Sequence, residues 1–193
     1  MGVYFLSHQM QMVLGTTYFL KQLYQKAPES LRLAEGMIQG QSSLLLDPTG
    51  SVPFEAPLRY QIRDHYQEVP QDGYLYLMYF RLNEDESSVF ESQVKRLLDE
   101  ADRIAGLQSM HLLKLASKHI EFVVMSTWHD KLDPYTNRSL PMVEPLRAFK
   151  HRAAAGEGYH ESEYHFTTPD AIADSEEKEH RPLDLKRLFH QGN

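Results

Sequence analysis

The stretch Tyr74–Leu82, YLYLMYFRL, is apolar at almost every residue. Side chains alternate across a strand, so Tyr74, Tyr76, Met78, Phe80 and Leu82 share one face and Leu75, Leu77, Tyr79 and Arg81 the other. A strand apolar on both faces has to be covered on both. Helices cover only one side of a single α+β sheet, and the other side needs a second layer. That layer comes either from another copy of the chain or from elsewhere in the same one.

The segments after this strand supply the helices and the remaining strands of one such unit. Val89, Phe90, Val94, Leu97, Leu98, Ala101 and Ile104 recur at helical spacing, with Glu91, Lys95, Arg96, Glu100 and Arg103 outside the stripe. Ser87 or Asp85 is the expected cap and Gly106 the expected stop. Gln108–Leu115 and Ile120–Thr127 read as a hairpin around Ala116–His119. Asp133-Pro134 starts a helix, and Pro141 and Pro145 are expected to break the chain beyond it into short helical pieces ending near Arg152. Ala153–Gly158 reads as a small-residue loop, and Tyr159–Thr167 alternates as a last strand. From Tyr74 the order is β-α-β-β-α-β, the ferredoxin-like split βαβ unit.

The N-terminal part is less regular. Val3–Leu14 reads as a strand, and Thr16 or Thr17 caps a helix that Pro28 ends. Leu31–Met37 and Ser43–Leu46 read as strands, Pro48 to Pro57 as loop, and Leu58–Gln67 as a short helix. This is enough for a partial second copy. The expected fold class is therefore α+β, a ferredoxin-like βαββαβ unit whose sheet pairs face to face with a second one, in a homodimer or within one chain. Residues 1–70 form the N-terminal α+β half, 71–167 the ferredoxin-like domain, and 168–193 an acidic tail. Asp170–Glu179 carries five acids against Lys178, so that segment is expected to be solvated, with Leu183, Leu185, Leu188 and Phe189 docking behind it.

Composition excludes several functions. A net charge of −7 argues against a nucleic-acid surface. Without cysteine there is no disulfide, thiolate metal site or Cys nucleophile. No apolar run is long enough to span a membrane. The opening residues lack the basic start of a signal peptide, and Leu6 stands where a myristoylation signal needs Ser or Thr. A cytoplasmic location is the expectation. There is no G-x-S-x-G elbow, phosphate loop, G-x-G-x-x-G or H-E-x-x-H.

Several stretches, in order, carry a resemblance: GTTYFLK from Gly15, QGQSSLLL from Gln39, TGSVPFEAP from Thr49, GYLYLMYF from Gly73, the Val124–Trp128 strand, and AFKHR from Ala148. Over residues 10–167 the chain resembles the two-part proteins of the antibiotic biosynthesis monooxygenase-like (ABM) superfamily. Its resemblance is to their HmoB-type heme-degrading monooxygenases and to the target of RNAIII-activating protein (TRAP). This implies an ABM domain in a dimeric α+β barrel, with heme as a substrate rather than a resident cofactor. The family's heme degraders use an Asn, a Trp and an iron-ligating His. On those positions this chain has Met78, Arg138 and Phe149, with His151 two residues beyond Phe149. Trp128 matches a different, structural Trp. Met78 offers only a weak sulfur acceptor where an amide would bond an iron-bound ligand. Phe149 cannot ligate iron, and two helical positions amount to about 200°, so His151 faces away from it.

The ligand-cleft candidates are Tyr76, Met78, Phe80, Met125, Arg138, Phe149, His151 and Tyr164, and His151 is the candidate iron ligand. Arg81, Arg138 and Arg147 are candidate carboxylate or propionate donors. His160 and His165 fall on opposite strand faces and cannot share a metal. His111 and His119 read as surface or satisfied core histidines. No catalytic residue stands out. Two functions are compatible with these residues: an ABM-type monooxygenase oxidising heme or another small aromatic or apolar substrate, or a non-catalytic, TRAP-like stress or signalling barrel acting through protein contacts.

Overall fold

The computed structural model describes residues 9–155 and 158–171. Expectations for residues 3–8, for the acidic segment beyond residue 171 and for Leu183–Phe189 lie outside the described residues. The elements run β1 (Gln9–Gly15), α1 (Thr17–Tyr24), β2 (Arg32–Gly36), β3 (Ser43–Asp47), β4 (Leu58–Tyr66), β5 (Tyr74–Arg81), α2 (Glu84–Asp99), β6 (Leu107–Leu115), β7 (Glu121–Trp128), α3 (Asp133–Thr136), α4 (Glu144–Ala155) and β8 (Tyr159–Thr167).

The eight strands close an antiparallel barrel in the order β1-β3-β2-β8-β5-β7-β6-β4, with β4 returning to β1. Each half keeps the ferredoxin-like order, β4-β1-β3-β2 in the first and β8-β5-β7-β6 in the second. The halves join where β2 pairs with β8 and β4 with β6. The second layer that Tyr74–Leu82 requires is therefore the chain's own N-terminal half. Inside the barrel Leu75, Leu77 and Tyr79 meet Met10, Met12, Leu44 and Leu46. Outside it, Tyr76 and Phe80 lie under Phe90, Val94 and Leu97 of α2 and Leu146 and Phe149 of α4. Each such side chain contributes about 1.5–3 kcal/mol by leaving water.

Several local expectations are corrected. Leu58–Gln67 is not a helix; its first nine residues form β4. Leu58, Tyr60 and Ile62 alternate as a strand does, and a bulge then breaks the alternation. The register with β6 shifts between Ile62 and Asp64, so Ile62 and His65 face inward while Tyr66 joins the outer core. Asn83, not Ser87 or Asp85, caps α2, its Oδ1 accepting from the Glu86 N–H at 2.9 Å. Val89 is 52% exposed and falls off the apolar stripe. Pro145 lies in the first turn of α4, where a missing N–H costs nothing, so it starts the helix instead of breaking it. That helix also runs past Arg152 into the stretch expected to be loop. Helix α2 ends at Asp99, not at Gly106: a 3-10 turn, Ala101–Arg103, follows it, and Gly106 lies beyond that turn at φ +79°, a conformation its missing Cβ permits.

Among the described residues the N-terminal half has a single helix. Its outer face is closed by α1 and by the loop after β3, whose buried Val52 packs with Leu20, Leu31, Leu33 and Leu45. Buried Asp47 shapes that loop, its carboxylate accepting from the backbone N–H groups of Thr49, Gly50 and Val52 at 2.8–3.0 Å. Among the described residues no helix is long and apolar enough to cross a membrane.

Candidate functional site

The second half carries two helical segments over its outer sheet face, and they do not fill it. Helix α2 packs down through Phe90, but α3, the 3-10 turn Asn137–Ser139 and α4 stand off β5, β7 and β8. Between them lies a cavity of about 370 Å³. This falls in the range of small-molecule sites, roughly 300–1,000 Å³. Met78, Phe80 and Trp128 form its floor, and Leu97, Ile104, Val143 and Leu146 its sides. The floor is locked: the Trp128 indole N–H donates to Ser126 Oγ at 2.8 Å, and that hydroxyl donates to the Tyr76 carbonyl at 3.4 Å. Asn137 holds the roof by donating to the carbonyls of Ala105 and Asp133 at 3.0 and 2.9 Å.

One edge is polar and centred on Glu161. Its Oε1 accepts from Lys150 Nζ at 2.6 Å and from the Tyr159 hydroxyl, and its Oε2 from Arg138 at 3.3 Å. The same Arg138 nitrogen donates to the Tyr76 hydroxyl at 3.0 Å, and the guanidinium lies 4.3 Å over the Tyr135 ring. Tyr135 in turn donates to Glu163. Partial burial works against Glu161 ionising, but the hydrogen bonds from Lys150, Tyr159 and Tyr76 outweigh it and hold the carboxyl down at about 2. Burial first, then the Glu161 carboxylate, pushes the Tyr76 and Tyr159 phenols well up. Tyr135 rises to about 12 through burial and its bond to Glu163. The edge is thus a fixed anion among phenol, ammonium and guanidinium donors, with no ready proton acceptor in it.

Of the residues singled out from the sequence, Tyr76, Met78, Phe80, Arg138 and His151 line this cavity. Met125 and Tyr164 do not. Met125 pairs with Leu77 and Tyr164 with Leu75, which places both inside the barrel on the opposite side of the sheet. Phe149 turns to α2, its ring edge-on to Phe90 at 5.1 Å. The α4 face that overlooks the cavity carries Arg147, Lys150 and His151. Arg147 is engaged by Glu144 at 2.9 Å, and Arg81 is outside the cavity, 3.6 Å from Glu121.

Sequence reasoning missed Glu161, Tyr159 and Lys150. The signal was the strand register: β8 sets Tyr159 opposite Phe80 and Glu161 opposite Met78, on the face that β5 turns to the cavity.

The other histidines serve elsewhere. His160 stacks on Tyr79 at 4.1 Å and His165 lies 5.8 Å from Tyr74, on opposite faces. His111 is neither exposed nor satisfied: it is 2% exposed, stacked on His65 at 5.4 Å, and its Nδ1 has no hydrogen-bond partner. Among the described residues no group of three or more His, Asp or Glu is placed to hold a metal ion.

No family model matches the chain. Solved structures do, and they agree with one another. A ferredoxin-fold protein of Listeria monocytogenes related to antibiotic biosynthesis monooxygenases superposes with TM-score 0.73 at 21% identity, covering 86% of this chain and 99% of that one. The heme-degrading enzyme LmHde, also from L. monocytogenes, superposes with TM-score 0.69 at 19% identity, covering 82% and 99%. A major regulator of staphylococcal pathogenesis superposes with TM-score 0.66 at 16% identity, covering 81% and 97%. At these identities the likeness establishes the fold, which is that of the ABM-like proteins.

Proposed function

We propose that this protein is an ABM-type monooxygenase-like protein that binds a flat, apolar small molecule, heme being the first to test, in the cavity between α4 and the outer face of β5, β7 and β8. One observation supports this above the others: the cavity has apolar walls and a single hydrogen-bonded polar edge, the usual build of a site that encloses a ligand and orients it. Heme comes first because a heme-degrading enzyme shares the fold over 82% of this chain.

The donor set fits a porphyrin in part. His151 is the only imidazole among the cavity-lining residues and stands at the exposed rim, while Phe149 is packed away from the cavity. Iron ligation through an imidazole would therefore rest on His151. The chain's own contribution is to enclose the apolar face of the substrate over Met78, Phe80 and Trp128 and to orient its polar end at Glu161 and Arg138. A carboxyl ionised down to about 2 is an anchor and a poor general base. Oxidation would draw its reactivity from the substrate itself, reduced heme iron or an electron-rich ring meeting oxygen.

The second reading is a non-catalytic barrel that acts through protein contacts. Met78 and Phe149, at positions where the resemblance implies an amide and an iron ligand, favour it.

Titrating the full chain with hemin and then adding ascorbate under air separates the two. A saturable Soret shift followed by loss of the band and release of iron is the expected result for an enzyme. A stable shifted band would mean binding without turnover, and no shift at micromolar hemin would remove heme as a ligand. In His151→Ala the bound spectrum should change; an unaltered spectrum would exclude His151 as the ligand.

A further inference from the structure

Resting on that reading of the cavity, we propose that its ligand carries an acidic group and that Arg138 is the residue that receives it. The Arg138 guanidinium is held from several sides. One terminal nitrogen donates to both Tyr76 and Glu161, and the Tyr135 ring lies against its plane at 4.3 Å. Among the described residues its Nε and other terminal nitrogen make no hydrogen bond, so they remain for a ligand. They point to different sides of the guanidinium, so each can donate a single charge-assisted hydrogen bond to an acid oxygen, and a guanidinium already fixed loses little freedom on binding.

Charge supports the same assignment. The cavity-lining residues include Arg138, Arg147 and Lys150 against Glu161 alone. Arg147 is balanced by Glu144 outside the cavity, which leaves one cation in excess at this edge. Glu161 takes both the Lys150 ammonium and the bonded nitrogen of Arg138, so the unbonded Arg138 nitrogens are where a ligand anion is best met. The preferred ligand class is a flat apolar body with a carboxylate at one end. A neutral molecule of the same shape fills the same walls but forgoes this contact. Glu161 and Tyr76 act as positioning residues, orienting the guanidinium from behind.

The test uses two probes of nearly equal shape, anthracene-2-carboxylate and the uncharged anthracene-2-carboxamide, titrated by fluorescence into the full chain and into Arg138→Met. The wild-type chain should bind the acid at least tenfold more tightly than the amide. Arg138→Met should lose that preference while keeping its affinity for the amide, which also shows that the cavity has folded. Arg138→Lys, a point charge without the planar group that Tyr76, Glu161 and Tyr135 hold in place, should retain only part of the preference. Equal binding of acid and amide by the wild type, or equal loss of both in Arg138→Met, overturns the Arg138 subsite and leaves the cavity reading standing. Failure of both probes to bind the wild type overturns the two together.

Discussion

Replacing Phe90 by alanine should lower stability by about 3–5 kcal/mol, the usual cost of removing a buried phenylalanine. Phe90 is 0% exposed and lies 4.7 Å from the Phe80 ring, 5.3 Å from Phe122 and 5.1 Å from Phe149. It is where α2 and α4 meet the floor of β5 and β7, so little can collapse into the space it leaves. For a chain of this length the melting temperature should fall on the order of 10 °C. Phe90→Leu, which keeps most of the volume, should cost under about 1.5 kcal/mol. Because Phe90 also seats Phe149, its loss should loosen the α4 face that carries Arg147, Lys150 and His151, and weaken ligand binding beyond the change in stability. Denaturant melts of the two variants check this; an alanine cost below about 1 kcal/mol would mean that the aromatic cluster does not hold the helices down.

The second large effect is acid sensitivity, and it comes from His111. Burial, with the neighbouring His65 adding to it, lowers the His111 imidazole to about 3. The unfolded chain releases the same proton near the ordinary value of about 6.5. Between those values the unfolded state binds the extra proton, so stability rises with pH there. The full contribution is present above about 6.5 and declines by about 1.4 kcal/mol per pH unit as the pH falls towards 3. At pH 5 the loss is about 2 kcal/mol relative to pH 7. His111→Phe should remove this slope. It should also cost little at neutral pH, because Nδ1 has no partner to lose and an aromatic ring still stacks on His65. Urea melts at pH 5 and pH 7 measure it: the variant should overtake the wild type at pH 5, and parallel losses in both would place the acid sensitivity elsewhere.

The features legible in the sequence were those fixed by local chemistry. The two apolar faces of Tyr74–Leu82 required two covering layers, and the structure supplies α2 and α4 on one side and the N-terminal half on the other. The Phe90–Val94–Leu97 stripe gave α2, and Thr16 caps α1 as expected. Features set by pairing at long range were not legible. One extra residue at Arg63 breaks the alternation that would have marked Leu58–Tyr66 as a single strand. Met125 and Tyr164 were grouped with Met78 because their hydrophobicity is the same on either face of the sheet; only the register assigns them to the barrel interior. Glu161 looks like one acid among several in YHESEYHFT until β8 is set beside β5. The resemblance located the helix that overlooks the cavity, but the face of that helix is set by Phe149 packing on Phe90.

The proposed function requires that the space above Met78 hold a ligand. The most direct test is hemin titration of Met78→Trp beside the wild type, with thermal melts confirming that both are folded. An indole on the cavity floor should weaken binding at least tenfold while the melting temperature changes by only a few degrees. Unchanged affinity in a folded Met78→Trp protein would show that hemin binds somewhere else.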